Sequence, residues 1–342
     1  MVAGDTIPRG SVRVSPIPPR LPGPPPEAAA SRPEIWLVEE RSGSEAYSHG
    51  LRIDTRFAVS NWKRSYPVFS HDGWQDNTWR LHTATEPVGI VYHTTESHLA
   101  PFDRHHNGRL RRLGRWLLEY VAKQKAYHFL IDRFGRVYRV VEETDAANHA
   151  GHSVWADQAG LYVNLNSSFL GVAFEAQSEP AAALTPAQIS AGRQLTELLR
   201  SKYGIRPENC LTHAQVSVAP SMRRVGNHLD WGESFPFEDI GLPDNYAQPL
   251  AAIHRFGFRY TAEFLEVTGP RFWKGLLLGD ELLRQDAAAV GLGPGEYRNQ
   301  LQGKYRKMVA ALPKPGERLV EETDGSEEQD FQGNEHEARR KQ

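Results

Sequence analysis

Two histidines offer this sequence's most direct chemistry. His93 ends the stretch VGIVYH (88–93), where an apolar run stops abruptly and is followed by Thr94 and Thr95. A strand buried in a sheet tends to deliver its last side chain to the mouth of a crevice, and open α/β sheets bind ligands at such strand ends. His213 follows a second short apolar approach in CLTHAQVSVAP and also precedes a loop. Neutral imidazole suits Zn2+, and a catalytic zinc takes three protein ligands with a fourth position open to water. Two such histidines could share one ion, with a third ligand still to be found. His93 taken alone reads better as a hydrogen-bonded structural residue than as a functional one.

The elements that must position these residues alternate in type. VGIVYH is a buried strand, NGRLRRLGRWLLEYVAKQ (107–124) an amphipathic helix, and YHFLIDRFGRVYRVV (127–141) two strands around a turn at Phe134 and Gly135. FLGVAFEAQ (169–177) is another strand. The helix LTPAQISAGRQLTELLRSKYGI (184–205) follows, with Thr185 as N-cap, Pro186 in the first turn and Gly204 as C-cap. Interleaved strands and helices predict an α/β fold, a mixed central β-sheet flanked by helices.

Around this core the composition shifts. Residues 1–33 hold the proline-dense IPPRLPGPPPEAAASRP and read as a disordered tether in extended polyproline II form. Residues 34–84 read as short strands and loops packing on the core, and 85–245 as the main domain. Residues 246–312 read as an accessory helical region, and the charged stretch 313–342 as disordered.

The 342 residues carry 40 basic and 42 acidic side chains, a net charge of −2, so no overall field draws the protein to nucleic acid or to an anionic membrane. Cys210 is the only cysteine, which excludes an internal disulfide and leaves any metal site to histidines and carboxylates. No segment approaches the roughly 18 apolar residues of a membrane span. The opening MVAGDTIPRG lacks the regions of a signal peptide, so the expectation is a cytoplasmic protein or one whose targeting segment was removed.

The series IVYHTTES, AYHFLIDRFGRVYRVV, NHAGHS, SSFLGVAFE, LTPAQISAGRQLTELLRSKYGI, LTHAQVSVAP and HLDWG resembles, in this order, the zinc-dependent N-acetylmuramoyl-L-alanine amidases. Their fold also occurs in phage amidase-type lysozymes and peptidoglycan recognition proteins. The resemblance covers about residues 85–245. It implies Zn2+ on His93, His213 and Asp230, the last in HLDWG, with His228 as the alternative third ligand. The loop from His213 to Asp230 is longer than expected, and Trp231 stands where proline is common.

The resemblance also bears on the catalytic groups. Ala173 stands where one branch of the family has a glutamate, and Tyr127 precedes the histidine of AYHFL as in the other branch. Tyr127 is thereby implied as a catalytic donor. Glu175 shares a strand face with Ala173 about 7 Å further on, and is a candidate to reach the site through solvent. His228 occupies the place of a lysine that contacts the oxyanion. His149 of NHAGHS is implied to line the substrate groove; Thr94, Thr95 and Trp155 are candidate substrate-binding residues, Trp155 reading equally well as an ordinary half-buried tryptophan, while His128 faces the opposite way and reads as structural.

The implied activity is hydrolysis of the amide joining N-acetylmuramic acid to L-alanine in peptidoglycan or muropeptides, in the cell envelope or secreted. Oligomeric state stays open. Two rivals remain: a peptidoglycan-binding module without catalysis, and a zinc carboxypeptidase suggested by the spacing of His93 and Glu96 in HTTE.

Overall fold

The computed structural model describes residues 34–74, 78–178 and 183–313. The expected tether, and the tail beyond residue 313, lie outside the described residues. In chain order the strands and helices are β1 (Leu37–Arg41), β2 (Ser44–Tyr47), β3 (Arg52–Asp54), β4 (Tyr66–Phe69), β5 (Arg80–Ala84), β6 (Gly89–Thr94) and α1 (Asn107–Gln124). There follow β7 (Phe129–Ile131), β8 (Val137–Arg139), β9 (Val154–Ala156), β10 (Leu161–Val163), β11 (Phe169–Phe174), α2 (Pro186–Tyr203), β12 (Cys210–Thr212) and α3 (His213–Val216). The last are β13 (Val218–Ala219), β14 (Arg224–Val225), α4 (Ala251–His254), α5 (Ala262–Ala289) and α6 (Pro294–Ala310).

The main sheet has the order β1-β2-β3-β8-β7-β11-β6-β12, and a smaller one the order β5-β4-β10-β9. β6 pairs in parallel with β11 on one side and β12 on the other. Such a strand is covered on both faces and reads as a continuous apolar run, and all six residues of β6 are buried. Ile90, Tyr92, Leu170, Val172 and Phe174 face the core beneath α2, while Leu130 and Ala173 meet Leu117, Leu118 and Val121 of α1 on the other side.

The caps of α2 are those the sequence indicates: Thr185 accepts from Gln188 N–H, Pro186 opens the helix and Gly204 closes it in the left-handed conformation. β1 to β3 extend the main sheet through a parallel pairing of β3 with β8. The C-terminal region departs from the expected long helices. The first breaks after His254, where Gly257 at φ +73 leaves no room for a side chain against the Arg298 carbonyl. A further kink falls at Gly269–Pro270 inside α5. These helices are not a separate bundle, because Phe272, Leu276, Leu301 and Met308 belong to the same apolar core as Tyr92 and Phe174.

Candidate metal centre

Strand register brings the two histidines together. Thr212 is the partner of Tyr92, so the residues that follow, His213 and His93, leave adjacent strands about 4.8 Å apart at one level. Their ring centroids lie 4.6 Å apart. Asp230 arrives on a loop whose backbone is tied to this point, its carbonyl accepting from Ala214 N–H at 3.2 Å. Its Oδ2 lies 3.1 Å from His93 Nδ1 and its Oδ1 2.9 Å from His213 Nδ1. Among the described residues, His93, His213 and Asp230 form the group able to hold a metal, with one ligand atom from each within 4.8 Å of the others. Two ligands about 2.0–2.1 Å from one tetrahedral ion stand about 3.3 Å apart, close to the nitrogen–oxygen separations here.

The protons confirm the fit. A carbonyl only accepts, so His149 Nε2, 3.2 Å from the Phe169 oxygen, carries a hydrogen. Burial and the His93 imidazole hold His149 well below the usual histidine range, so its Nδ1 is bare. That bare nitrogen accepts from His93 Nε2–H at 3.1 Å, which leaves His93 Nδ1 bare toward Asp230. His213 Nε2 donates to the Ala150 carbonyl at 3.3 Å, which turns its Nδ1 toward Asp230. Burial and the neighbouring His213 push His93 down to about 4. Burial alone would raise Asp230, but His213 and His93 outweigh it and hold the carboxyl well below the carboxylate range. Three ligand atoms thus converge on one point, an arrangement that a cation satisfies. The carbonyls and His149 are the outer partners that fix ring orientation in metal sites.

Several expected residues sit elsewhere than the sequence suggests. His149 is buried behind His93, over Gly171, so it orients a ligand instead of lining a groove. Trp155 is 3% exposed and spends its indole N–H on Asn209 Oδ1 at 3.0 Å, which leaves no face for a substrate. Thr94 is buried with its hydroxyl 2.5 Å from Glu96 Oε1, while Thr95 is half-buried and bonds Ser97 Oγ at 2.9 Å. Glu175 is buried and accepts from Arg133 N–H at 3.1 Å, turned to the β7–β8 turn; burial raises its carboxyl. Glu96 is engaged by Thr94 and Ser178 and is not one of the cluster's ligands, which removes the basis of the carboxypeptidase reading.

Tyr127 and His228 do flank the cluster. The Tyr127 ring lies 5.1 Å from His93, at a left-handed φ of +63, and burial raises its phenol with Asp230 and Glu96 adding to the effect. His228 is exposed and stacks on His213 at 4.5 Å and 17°, outside the ligand set. His128 is wholly buried, its Nδ1 accepting from Gly171 N–H, a structural role.

One contribution has no signal in the motifs. The segment 223–235 is held by residues beyond it in the chain: Val225 N–H donates to the Arg259 carbonyl at 2.8 Å, and Tyr246 donates its hydroxyl to the Trp231 carbonyl at 2.7 Å. Gly226 lies against Phe264 so closely that a β-carbon there would stand 2.1 Å from the ring. Between His213 and Asp230 the chain forms the β13–β14 ribbon. Trp231 adopts φ +61, a value the proline ring forbids, so this loop takes a path that proline could not.

Fold and cluster together define a mixed-sheet domain with a two-histidine, one-aspartate centre. Residues 83–233 match the family described as N-acetylmuramoyl-L-alanine amidase. AmiD of Escherichia coli (strain K12), an N-acetylmuramoyl-L-alanine amidase, is 29% identical over 143 residues, 38% of this chain and 48% of AmiD. The chain therefore spans about half the length of that curated relative. Among solved structures, AmiD in complex with anhydro-N-acetylmuramic acid-L-Ala-D-gamma-Glu-L-Lys is 19% identical, covering 78% of this chain and 97% of that one, at a TM-score of 0.40. The amidase LysC from Clostridium intestinale URNW is 22% identical over 54% of this chain and 95% of its own, at a TM-score of 0.30.

Proposed function

We propose that the chain is a zinc-dependent amidase that hydrolyses the bond between N-acetylmuramic acid and L-alanine in peptidoglycan or muropeptides. The observation that carries this reading is the convergence of one ligand atom each from His93, His213 and Asp230 at the end of β6. The substrate comes from the family of residues 83–233. A cell-envelope or secreted location follows from that substrate; among the described residues no helix is long and apolar enough to cross a membrane.

A zinc ion held there supplies Lewis acidity, polarising a carbonyl and lowering the pKa of water from about 16 toward 7. The chain's own residues do the rest. Water oxygen adds to the lactyl carbonyl carbon, the carbonyl oxygen takes up negative charge, and the amide nitrogen leaves with a proton as the amine of alanine. Tyr127, kept a phenol by its raised pKa, donates a hydrogen bond to the developing oxyanion. His228 at the rim donates a second. Such preorganised donors are each worth about 100- to 1000-fold in rate. His149 and the Ala150 carbonyl keep the two ligand rings turned inward.

Mass spectrometry of digested peptidoglycan tests the reading, with free stem peptides beginning at alanine as the expected product. Stoichiometric zinc without any peptide release would instead favour the binding module.

A further inference from the structure

α1 carries an outward stripe that the core does not use. Its apolar face, Leu110, Leu117, Leu118 and Val121, is buried. On the opposite side Arg109, Arg112, Trp116, Tyr120 and Lys123 are all exposed. Their spacing of three, four, four and three residues places them in one row along the helix, over about 21 Å. Trp116 and Tyr120 are 54% and 49% exposed, and their rings stack at 5.5 Å and 15°. No acidic side chain interrupts the row, since the one acid of the helix, Glu119, is paired with Arg115 at 2.9 Å. In a chain of net charge −2, this helix has five basic residues against one acidic. α1 ends at Gln124, and three residues later the Tyr127 ring stands 5.1 Å from His93.

Large exposed aromatics beside arginines are the composition of a binding surface and not of an ordinary solvated helix face. A membrane surface fits poorly, because an interfacial helix needs a free apolar face and that of α1 is spent on the core. An anionic sugar polymer fits well, with flat pyranose faces for the aromatic pair and carboxylates for the cations. The amidase reaction creates such a polymer: each amide cleaved leaves a lactyl carboxylate on the glycan and carries the stem peptide away.

We propose that the α1 stripe binds the glycan strand of the wall, and holds it more tightly once its stem peptides have been removed. The idea rests on the amidase reading for the identity of the strand, and its test is separable from it. Full-length protein is assayed for co-sedimentation with peptide-free glycan and with intact wall, across a salt series, and for hydrolysis of a small soluble muropeptide. The variants are W116A/Y120A, R112E and the charge-preserving R112K. W116A/Y120A and R112E are expected to bind the peptide-free glycan about tenfold more weakly. R112K stays near wild type, and all three keep wild-type turnover of the muropeptide. Glycan binding that is unchanged in W116A/Y120A and R112E overturns the proposal. So does wild-type binding that is no stronger for peptide-free glycan than for intact wall. In a parallel co-sedimentation with anionic phospholipid vesicles, loss of vesicle binding by the variants with glycan binding intact overturns it in favour of a membrane surface. If the wild type hydrolyses nothing, the amidase reading fails while the glycan-binding comparison still decides the stripe.

Discussion

Placing alanine at Gly226 tests whether the C-terminal helices are part of the metal centre. The new β-carbon would stand 2.1 Å from Phe264 Cε2 and 2.4 Å from Cδ2, at a backbone φ of +79. Carbon atoms rest at about 3.5–4.0 Å, so ring or loop must yield by more than 1 Å. Phe264 is buried and packs edge-on against Phe272 at 5.6 Å, which limits what the ring can give. Left-handed backbone at a residue with a β-carbon costs about 1–2 kcal/mol. Overpacking adds about 1–3 kcal/mol, and the stiffer unfolded chain returns up to about 1 kcal/mol. The net destabilisation is about 1–5 kcal/mol, or roughly 2–4 °C of melting temperature per kcal/mol in a chain of this size. Because His228 and Asp230 follow on the same loop, zinc affinity should fall by about tenfold or more when the loop is displaced. Thermal melting and competition with a chromogenic chelator read the two effects. Combining G226A with F264A should recover the overpacking part, so the double variant is less destabilised than the two singles predict. A G226A protein that melts within 1 °C of wild type and binds zinc equally well refutes the clamp.

Other outcomes follow from the same geometry. H149A should lower zinc affinity about 10- to 100-fold and recover partly as H149Q, whose amide can still accept from His93; equal affinities in a chelator titration would discard the orienting role. Y127F should lower turnover about 100-fold or more with zinc content unchanged, and a loss of less than twofold in a muropeptide assay would eliminate Tyr127 as the oxyanion donor. If the site holds zinc as proposed, chelation should remove activity and lower the melting temperature together, because a ligand of the folded state alone stabilises it; melting curves with and without chelator check this. Glu143 gives an acid limb: burial raises its carboxyl, but Arg139 and Lys202, both at 2.8 Å, outweigh burial and hold it below the usual range. A depressed folded pKa means that its stabilisation is complete above about pH 5 and is lost as pH falls through the folded value. Between pH 5 and 3, E143Q should therefore lose less melting temperature than wild type, and parallel profiles would show that Glu143 contributes nothing there.

The sequence by itself determined the parts governed by local pattern. The apolar run before His93, the amphipathic helix at 107–124 and the capped helix after Thr185 follow from residue periodicity and end chemistry. The strand-end positions of His93 and His213 were legible for the same reason, and the place of Asp230 beside them only through the order of the family motifs. Tertiary structure decided what pattern does not encode. Trp155 and His149 look like groove residues in the chain, yet burial turns one into core and the other into a brace for His93, because a side chain's role depends on which surface packs over it. The C-terminal helices carry no motif tied to the site. Their contact with the metal-bearing loop arises from folding that joins Arg259, Tyr246 and Phe264 to residues 225–231, and no periodicity along a single segment records a contact between distant ones.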